Sequence, residues 1–263
     1  MEDIGKLLKN IRESKKISLY KLAEKTGLHR TSISKIENGS RNPTVENASK
    51  IAEALGKDLG IIIMKKNVVS QRLNSQYIRN IDDNINGDGI DYNLVVNAVN
   101  HCYEILAIID NELIMSGSEQ LAQLVEKANL SSIIGNIIGK GIEINSKNRF
   151  YRNRPHTYPD LLSRNESLYP NFEIKVALDK NSPKGHLAKK GNYMTFRYII
   201  ESSTLVKIWE IKFGYLDYED FSSSNTPGDS GKTAVIKPSS LNNLTCIYYD
   251  PDISPYKRYK GLN

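Results

Sequence analysis

The strongest constraint on the fold is a series of short amphipathic patterns between residues 4 and 55. Apolar residues recur there at the three- and four-residue spacing of an α-helix, and the segments are bounded by residues suited to helix termini. Ser18 and Thr44 are good N-caps, and Gly27 suits a helix end. These signals predict four short helices, with a turn at Gly27 before a third helix that runs from Arg30 to Asn38. The N-terminal part of the chain is therefore predicted to be all-α.

The run SLYKLAEKTGLHRTSISKIENGSRNPTVENASKIAEAL resembles the Cro/C1 (XRE) phage-repressor helix-turn-helix family. Its Leu-Ala, Gly-Leu, Ile-Ser-x-Ile-Glu-x-Gly and later Pro fall in register with the family pattern. One departure is Leu19, which stands where the family usually has a Gln that contacts phosphate and base. The resemblance implies a domain at residues 1–66 that binds double-stranded DNA, with a protein-interaction or dimerisation role as the alternative.

By that resemblance, the N-terminal end of the third helix lies in the major groove, where its side chains reach base edges. The residues at those positions are Arg30, Thr31, Ser32 and Lys35. Their chemistry suits base recognition, because Arg and Lys donate to guanine and the Thr methyl contacts thymine. The loop after the helix supplies candidates for phosphate contacts, namely Asn38, Ser40 and Arg41.

Positive charge is concentrated in two parts of the chain, although the net charge is only +6. Residues 1–66 contain 14 Lys and Arg against 8 Asp and Glu, whereas residues 67–146 contain 4 against 10. Residues 147–198 are again basic, with 11 against 4. Basic surfaces favour a polyanionic partner, so both regions are expected to contact nucleic acid.

The second informative stretch runs from residue 158 to residue 190. Asp160 follows a proline, and Glu173-Ile174-Lys175 lies in a run from Phe172 to Leu178 that alternates like a β-strand. Because successive strand side chains point to opposite faces, Glu173 and Lys175 share a face. Carboxylate oxygens bind hard divalent cations. The sequence therefore predicts that Asp160 and Glu173 hold such an ion, with Lys175 beside it to orient water or stabilise phosphate charge.

Pro159-Asp160 and Glu173-Ile174-Lys175 resemble the PD-(D/E)xK nuclease signature. The resemblance implies an α/β domain with a mixed central sheet, Mg²⁺ as cofactor and hydrolysis of DNA. Nucleases of this type often add a carboxylate from a preceding helix, for which Glu143 is the choice and Glu126 the alternative. A second match, Glu210-Ile211-Lys212, has no nearby Pro-Asp and is interpreted as an ordinary strand with a solvated Glu/Lys pair.

The remaining segments complete the predicted organisation of the chain. Residues 67–90 are rich in Asn, Asp and Gly and are predicted to be a linker, and residues 91–140 have the apolar stripes of helices. The run SSIIGNIIGKGIEIN is predicted to be a buried helix that ends at Gly139 or Gly141. After the nuclease-like signature, a turn bounded by Pro and Gly presents further candidates for DNA contacts, namely Lys184, His186, Lys189 and Lys190.

Cysteine usage and hydropathy limit the cellular context. Cys102 and Cys246 are the two cysteines, and they form no CxxC pattern. We interpret them as free thiols in a reducing cytoplasm. No apolar run approaches the roughly 20 residues that a membrane span needs, so no membrane association is expected.

The sequence thus predicts an α/β protein with a helix-turn-helix domain at 1–66, a linker at 67–90 and a nuclease domain at 91–263. The expected function is that of a type II restriction endonuclease that makes Mg²⁺-dependent, sequence-specific double-strand breaks, alongside a cognate methyltransferase. A two-fold DNA site favours a homodimer. The helix-turn-helix either reads the target or regulates the enzyme's own gene. The alternatives are a non-catalytic regulator with a C-terminal sensing or oligomerisation domain, and a weakly specific antiphage nuclease.

Overall fold

The structure is a computed structural model that describes residues 4–57, 70–79, 90–224 and 233–257. The chain divides into two compact units. The first unit contains Met1–Val69 and Ala107–Gln120, and the second contains Ser70–Leu106 and Leu121–Asn263. The protein is mixed α/β, with a helical N-terminal unit and a mixed sheet in the second unit.

Short capped helices build the N-terminal part of the first unit. They are α1 (Ile4–Ser14), α2 (Leu19–Thr26), α3 (Arg30–Glu37) and α4 (Val45–Ala54). The predicted caps are confirmed: Ser18 Oγ accepts the Lys21 N–H at 3.2 Å, and Thr44 Oγ1 accepts the Asn47 N–H at 3.2 Å. Gly27 closes α2 with φ +69°, a left-handed conformation in which glycine has no Cβ penalty.

A small apolar core and one buried ion pair hold these helices together. The fully buried apolar side chains come from all four helices: Leu8, Ile11, Leu22, Ile33, Ile36, Ala48, Ile51, Ala52 and Leu55, the residue after α4. Arg12 on α1 donates from Nε and Nη2 to the two carboxylate oxygens of Glu37 on α3, both at 2.7 Å. This hydrogen bond raises the pKa of Arg12, although burial acts in the opposite direction. The bidentate pair therefore fixes α3 against α1.

In the described part of the second unit, three α-helices precede the strands along the chain, and a fourth α-helix lies between the last two strands. The helices are α5 (Tyr92–Met115, of which residues up to Leu106 belong to this unit), α6 (Leu121–Leu124), α7 (Lys127–Asn145) and α8 (Pro238–Asn243). The strands are β1 (Phe150–Arg152), β2 (Leu161–Ser163), β3 (Phe172–Leu178), β4 (Lys184–Gly185), β5 (Gly191–Glu201), β6 (Leu205–Leu216), β7 (Phe221–Ser224), β8 (Thr233–Ile236) and β9 (Thr245–Tyr249). The predicted strand Phe172–Leu178 is confirmed with the same bounds.

The larger sheet has the order β1-β2-β3-β5-β6-β9, and the smaller one has the order β4-β8-β7. In the larger sheet β3 and β5 run parallel, and every other neighbouring pair is antiparallel. The register aligns Ile174, Met194 and Phe213 in one row. These side chains are buried in one cluster with residues of α5 and α7, so the helices cover this face of the sheet.

Glu173 and Lys175 lie on the other face of the sheet. Glu173 pairs in register with Tyr193, and Lys175 pairs with Thr195. Tyr193 is buried with Ile236 of β8 and other apolar residues of that side. The predicted shared face of Glu173 and Lys175 is thus confirmed, because both lie opposite the helix-covered side.

The predicted end of α7 at Gly139 or Gly141 is wrong, since the helix continues to Asn145. Both glycines are buried within it. A Cβ on Gly141 would lie 2.8 Å from the Ala98 carbonyl oxygen of α5, so glycine permits a close crossing of two helices. Burial against α5 and the sheet outweighs the low helix propensity of glycine.

The predicted linker at 67–90 lies mostly outside the described residues. Its described part, residues 70–79 and Ile90, belongs to the second unit. Leu73 is buried, its N–H donates to Asn100 Oδ1 at 3.0 Å, and the Arg79 N–H donates to the Ile247 carbonyl at 2.8 Å. No helix in the part of the chain that the structure describes is long and apolar enough to cross a membrane.

Candidate functional site

The third helix of the first unit presents the predicted base-reading residues on its outer face. Ile33 and Ile36 fix the inner face in the core, and Glu37 is buried in its pair with Arg12. At a period of 3.6 residues, the opposite face is left for solvent. The predicted residues lie there: Arg30, Thr31 and Lys35 are exposed, and Ser32 is half-buried. Arg30, Thr31 and Lys35 are therefore accessible to solvent, and Ser32 is partly accessible.

The loop after α3 carries the predicted phosphate contacts. Asn38, Ser40 and Arg41 are all exposed. The Arg41 N–H donates to the Lys35 carbonyl at 3.1 Å, which holds the loop against the end of α3. The cations at 35 and 41 therefore lie on one connected segment.

In the second unit, the structure brings Asp160, Glu173 and Lys175 together. Asp160 immediately precedes β2, and its N–H donates to Glu173 Oε2 at 3.0 Å. Asp160 Oδ2 accepts the Ile174 N–H at 2.9 Å, so the two segments are joined in both directions. Lys175 Nζ donates to Glu173 Oε1 at 2.5 Å. Three residues predicted as a set thus form one hydrogen-bonded cluster.

The environment of this cluster shifts the protonation of Glu173. Its side chain is 12% exposed, and burial raises the pKa of Glu173. The Lys175 ammonium acts in the opposite direction, and the neighbouring Asp160 charge adds to the upward shift. A cation placed near both carboxylates would oppose the upward shift, because it favours their charged forms.

A cleft of about 280 Å³ opens beside the cluster. Asp160 and Lys175 line it, together with two further cations, Arg152 on β1 and Lys184 on β4. The small and polar residues of α7 that face the cleft are Ser131, Ser132, Gly135, Asn136 and Gly139. Three cations around one carboxylate give the cleft a positive balance, which suits a phosphodiester backbone.

Asp160 and Glu173 have the donor chemistry of a hard-cation site. Both offer carboxylate oxygens, and Asp160 Oδ1 accepts no hydrogen bond from any described residue. Within the described ranges there is no group of three or more His, Cys, Asp and Glu side chains that could hold a metal ion. Mg²⁺ commonly uses one or two carboxylates and completes its shell with water and substrate phosphate, so the pair fits this ion.

The structure does not bring the predicted additional carboxylate into this pair. Glu143 accepts from Lys140 Nζ at 2.5 Å and from the Arg152 N–H at 3.2 Å. The hydrogen bond from Lys140 lowers the pKa of Glu143. Its alternative, Glu126, is exposed at the N-terminal end of α7. Neither residue lines the cleft.

The second Glu-x-Lys match, on β6, is a strand as predicted, but its charges are buried rather than solvated. Glu210 accepts from Arg197 Nε at 2.5 Å, and the two side chains are 1% and 3% exposed. Lys212 Nζ donates to the carbonyls of Asn242 at 3.2 Å and Leu244 at 3.5 Å, at the end of α8. Burial lowers the pKa of Lys212. These residues act in packing and do not line the cleft.

The predicted basic turn lies next to the cleft. Lys184 lines it directly, and His186, Lys189 and Lys190 are exposed. Two tyrosines hold the turn: Tyr158 Oη donates to the Lys190 carbonyl at 2.9 Å, and Tyr193 Oη donates to the Lys189 carbonyl at 2.7 Å. Lys189 Nζ also lies 4.6 Å from the centre of the Tyr158 ring. The turn is therefore anchored by its backbone while its cationic side chains face solvent.

Comparison with known proteins identifies the first unit. Residues 8–62 match the helix-turn-helix family. Over 59 residues the chain is 49% identical to the control protein C.BamHI of Bacillus amyloliquefaciens, and this alignment covers 73% of that protein and 21% of this chain. The chain belongs to the helix-turn-helix family.

Two solved structures are also similar to part of the chain. The clp gene regulator ClgR from Corynebacterium glutamicum is 25% identical with a TM-score of 0.23, covering 24% of this chain and 67% of that one. A mutant of the restriction-modification controller protein C.Esp1396I is 32% identical with a TM-score of 0.23, covering 24% of this chain and 80% of that one. The helix-turn-helix match ends at residue 62, before the first described strand, so it leaves the cleft unassigned.

Sequence patterns missed two residues that the fold places in the cleft, Arg152 and Asn136. Arg152 Nη1 and Nη2 donate to the carbonyl and Oδ1 of Asn136, at 2.9 and 2.8 Å. The basic segment 147–198 indicated that cations would collect here, but no spacing rule joins β1 to a residue on α7. Only the packing of that helix on the strand reveals the pair.

Proposed function

We propose that this protein is a DNA endonuclease whose helix-turn-helix unit binds a specific double-stranded site and whose second unit cleaves DNA with Mg²⁺. The observation that carries the proposal is the hydrogen-bonded cluster of Asp160, Glu173 and Lys175 at the wall of a basic cleft. Carboxylates that share a site with a lysine suit metal-assisted hydrolysis of a phosphodiester. The match to the PD-(D/E)xK signature, in sequence and in strand placement, supports the same reaction class.

Asp160 and Glu173 would hold the Mg²⁺ ion, which when bound supplies Lewis-acid activation of the scissile phosphate. The protein's own groups do the positioning. The Asp160 N–H donates to the Glu173 carboxylate and the Ile174 N–H donates to the Asp160 carboxylate, and these two bonds fix the carboxylates relative to each other. Lys175 keeps its ammonium at the cleft wall, where it stabilises negative charge on the phosphate and orients the attacking water.

The helix-turn-helix unit supplies affinity for a DNA site. Arg30, Thr31 and Lys35 on the exposed face of α3 suit base edges, while Arg41 suits phosphate. The similarity to a control protein and to a restriction-modification controller protein supports a restriction-modification setting, with a cognate methyltransferase in the same system. In that setting the enzyme would be a homodimer on a two-fold site, because both strands must be cut.

The decisive experiment incubates the pure full-length protein with phage DNA in Mg²⁺ or in EDTA. Discrete fragments that require Mg²⁺ are the expected result for a site-specific endonuclease. A smear would instead indicate a weakly specific antiphage nuclease. Intact DNA under both conditions would contradict the nuclease function.

A second candidate function is a transcriptional regulator without catalysis. It is favoured by the 49% identity to a control protein, because that match involves the DNA-binding part of the chain. In this hypothesis the second unit senses a ligand or oligomerises, and Asp160, Glu173 and Lys175 are structural charges. Specific DNA binding without nicking in Mg²⁺ would support it.

A further inference from the structure

Arg152 is a cation of the cleft whose position is fixed by α7. Its two terminal nitrogens donate to the main-chain and side-chain oxygens of the same residue, Asn136. The backbone N–H of Arg152 donates to Glu143 Oε1 at 3.2 Å, which fixes β1 against α7 at that point. Arg152 and Asn136 both line the cleft with Asp160 and Lys175. The guanidinium is therefore held in one place before any ligand enters.

The geometry leaves Arg152 with donors to spare. A guanidinium carries five N–H bonds, and Asn136 accepts from Nη1 and Nη2. The α7 residue that faces Nε is Gly139, where an added Cβ would lie 3.5 Å from that nitrogen. Because glycine has no side chain, the guanidinium can lie close against α7 at this point. A planar edge with unused N–H groups matches the oxygens of a phosphate.

We propose that Arg152 binds a phosphate of the DNA backbone in the cleft, and that Asn136 is the residue that positions it. The inference rests on the proposed function, since it assigns the cleft's ligand as DNA. It adds a substrate-binding residue that lies outside the Asp160–Glu173–Lys175 cluster. Lys184, which lines the same cleft, brings a second positive charge without a fixed fork.

A purely structural role for Arg152 gives different expectations. In that hypothesis the hydrogen bonds to Asn136 only tie β1 to α7, and removing them lowers stability without changing DNA binding. A phosphate contact instead changes half-saturation and the salt dependence of binding, because each neutralised phosphate releases counterions. The two roles are therefore separable by measurement.

The test compares full-length wild type with Arg152→Ala, Arg152→Lys, Asn136→Ala and the double variant Asn136→Ala/Arg152→Ala. The matched control is Arg72→Ala, which removes a cation of the same unit that pairs with Glu104 at 3.0 Å and does not line the cleft. Single-turnover cleavage of one duplex gives half-saturation and maximal rate for each variant. Binding of that duplex in EDTA over a range of salt concentrations gives the salt slope, and thermal unfolding checks that each variant folds.

We expect Arg152→Ala to raise the DNA concentration needed for half-saturation about 10- to 100-fold, because a charge-assisted hydrogen bond is lost. The same variant should reduce the salt slope of DNA binding by about one unit. Arg152→Lys should keep the salt slope, because the charge remains. It should still raise the DNA concentration needed for half-saturation, because lysine lacks the forked guanidinium that binds two phosphate oxygens. Asn136→Ala should have a smaller effect, and the double variant should be no worse than Arg152→Ala, because Asn136 acts through Arg152.

If Arg152→Ala matches Arg72→Ala in half-saturation and salt slope, the inference is overturned, while Mg²⁺-dependent cleavage by the wild type leaves the proposed function intact. If the wild type does not cleave, the proposed function fails and the EDTA measurement decides the inference alone. A lower slope for Arg152→Ala then supports the phosphate contact, and an unchanged slope overturns it.

Discussion

Arg197 and Glu210 form a buried ion pair between β5 and β6, with Arg197 Nε 2.5 Å from Glu210 Oε2. The Arg197 guanidinium also lies 4.2 Å from the Trp209 ring centre. This pair explains why Glu210-Ile211-Lys212 does not form a second site, because the Glu210 carboxylate is buried and paired with Arg197. Two identical sequence patterns thus have different roles, because one lies at a cleft and the other inside the core.

Removing Glu210 should therefore destabilise the protein. Glu210→Ala leaves the Arg197 charge buried without its carboxylate, which costs about 3–5 kcal/mol in the free energy of unfolding. Urea unfolding of the full-length protein measures the loss. The control is Glu201→Ala on the same hairpin, whose pair with Lys207 is partly exposed and should be worth at most about 1 kcal/mol. Equal losses in the two variants would contradict a structural role for the buried pair.

Removing any member of the Asp160–Glu173–Lys175 cluster should abolish cleavage while the protein stays folded. Asp160→Ala, Glu173→Ala and Lys175→Ala should each reduce the cleavage rate by at least about 100- to 1000-fold, because transition-state charge is no longer stabilised. DNA binding in EDTA should persist or tighten for the two carboxylate variants, because a negative charge near phosphate is removed.

The control for these variants is Glu219→Ala, which removes an exposed acid that does not line the cleft. Plasmid cleavage in Mg²⁺ measures the rates. Wild-type cleavage rates in the three cluster variants would show that cleavage does not depend on this cluster.

Two arginines of the helix-turn-helix unit should have distinct effects on DNA binding. Arg30→Ala should weaken the free energy of binding to the preferred site by about 1–3 kcal/mol and reduce base preference at one base pair, because a base-edge contact is lost. Arg41→Ala should weaken binding to all DNA sequences equally and lower the salt slope of binding by about one unit, because Arg41 contacts only phosphate. Competition binding with specific and random duplexes tests both, and equal effects on the two duplexes in both variants would refute the base contact.

Two of the glycines of α7, Gly139 and Gly141, should respond differently to alanine. Gly141→Ala places a Cβ 2.8 Å from the Ala98 carbonyl oxygen, so it should destabilise the second unit by about 1–3 kcal/mol. Gly139→Ala meets neighbours only at 3.5 Å or more, and should stabilise the helix by up to about 1 kcal/mol. Thermal unfolding distinguishes the two, and a similar shift in both would argue against the close helix crossing.

Both cysteines should be unreactive in the folded protein. Burial raises the pKa of Cys102 to about 12 and that of Cys246 to about 11, so neither is a thiolate at pH 8. Ellman's reagent should label no more than a trace of either thiol in native protein and both in urea. Rapid labelling of native Cys102 or Cys246 at pH 8 would contradict their burial.

The sequence by itself determined the local features of this protein. Apolar periodicity with Ser18, Thr44 and Gly27 located the helices of the first unit, and alternation located β3, because capping and side-chain direction depend on neighbours within a few residues. The strand assignment also put Glu173 and Lys175 on one face. Sequence analysis misplaced the end of α7, because the effect of Gly141 depends on Ala98 in another helix.

Tertiary structure decided which charges meet. Asp160 and Glu173 are thirteen positions apart in sequence, and their contact exists because β2 pairs with β3. The hydrogen bonds of Arg152 to Asn136 and of Arg197 to Glu210 likewise exist only because their elements pack together, and no local sequence pattern indicates them. The Glu-x-Lys on β3, beside the cleft, and the Glu-x-Lys on β6, inside the core, are the same string of letters. Their difference lies in burial and in partners, which depend on packing between segments that are distant in the chain.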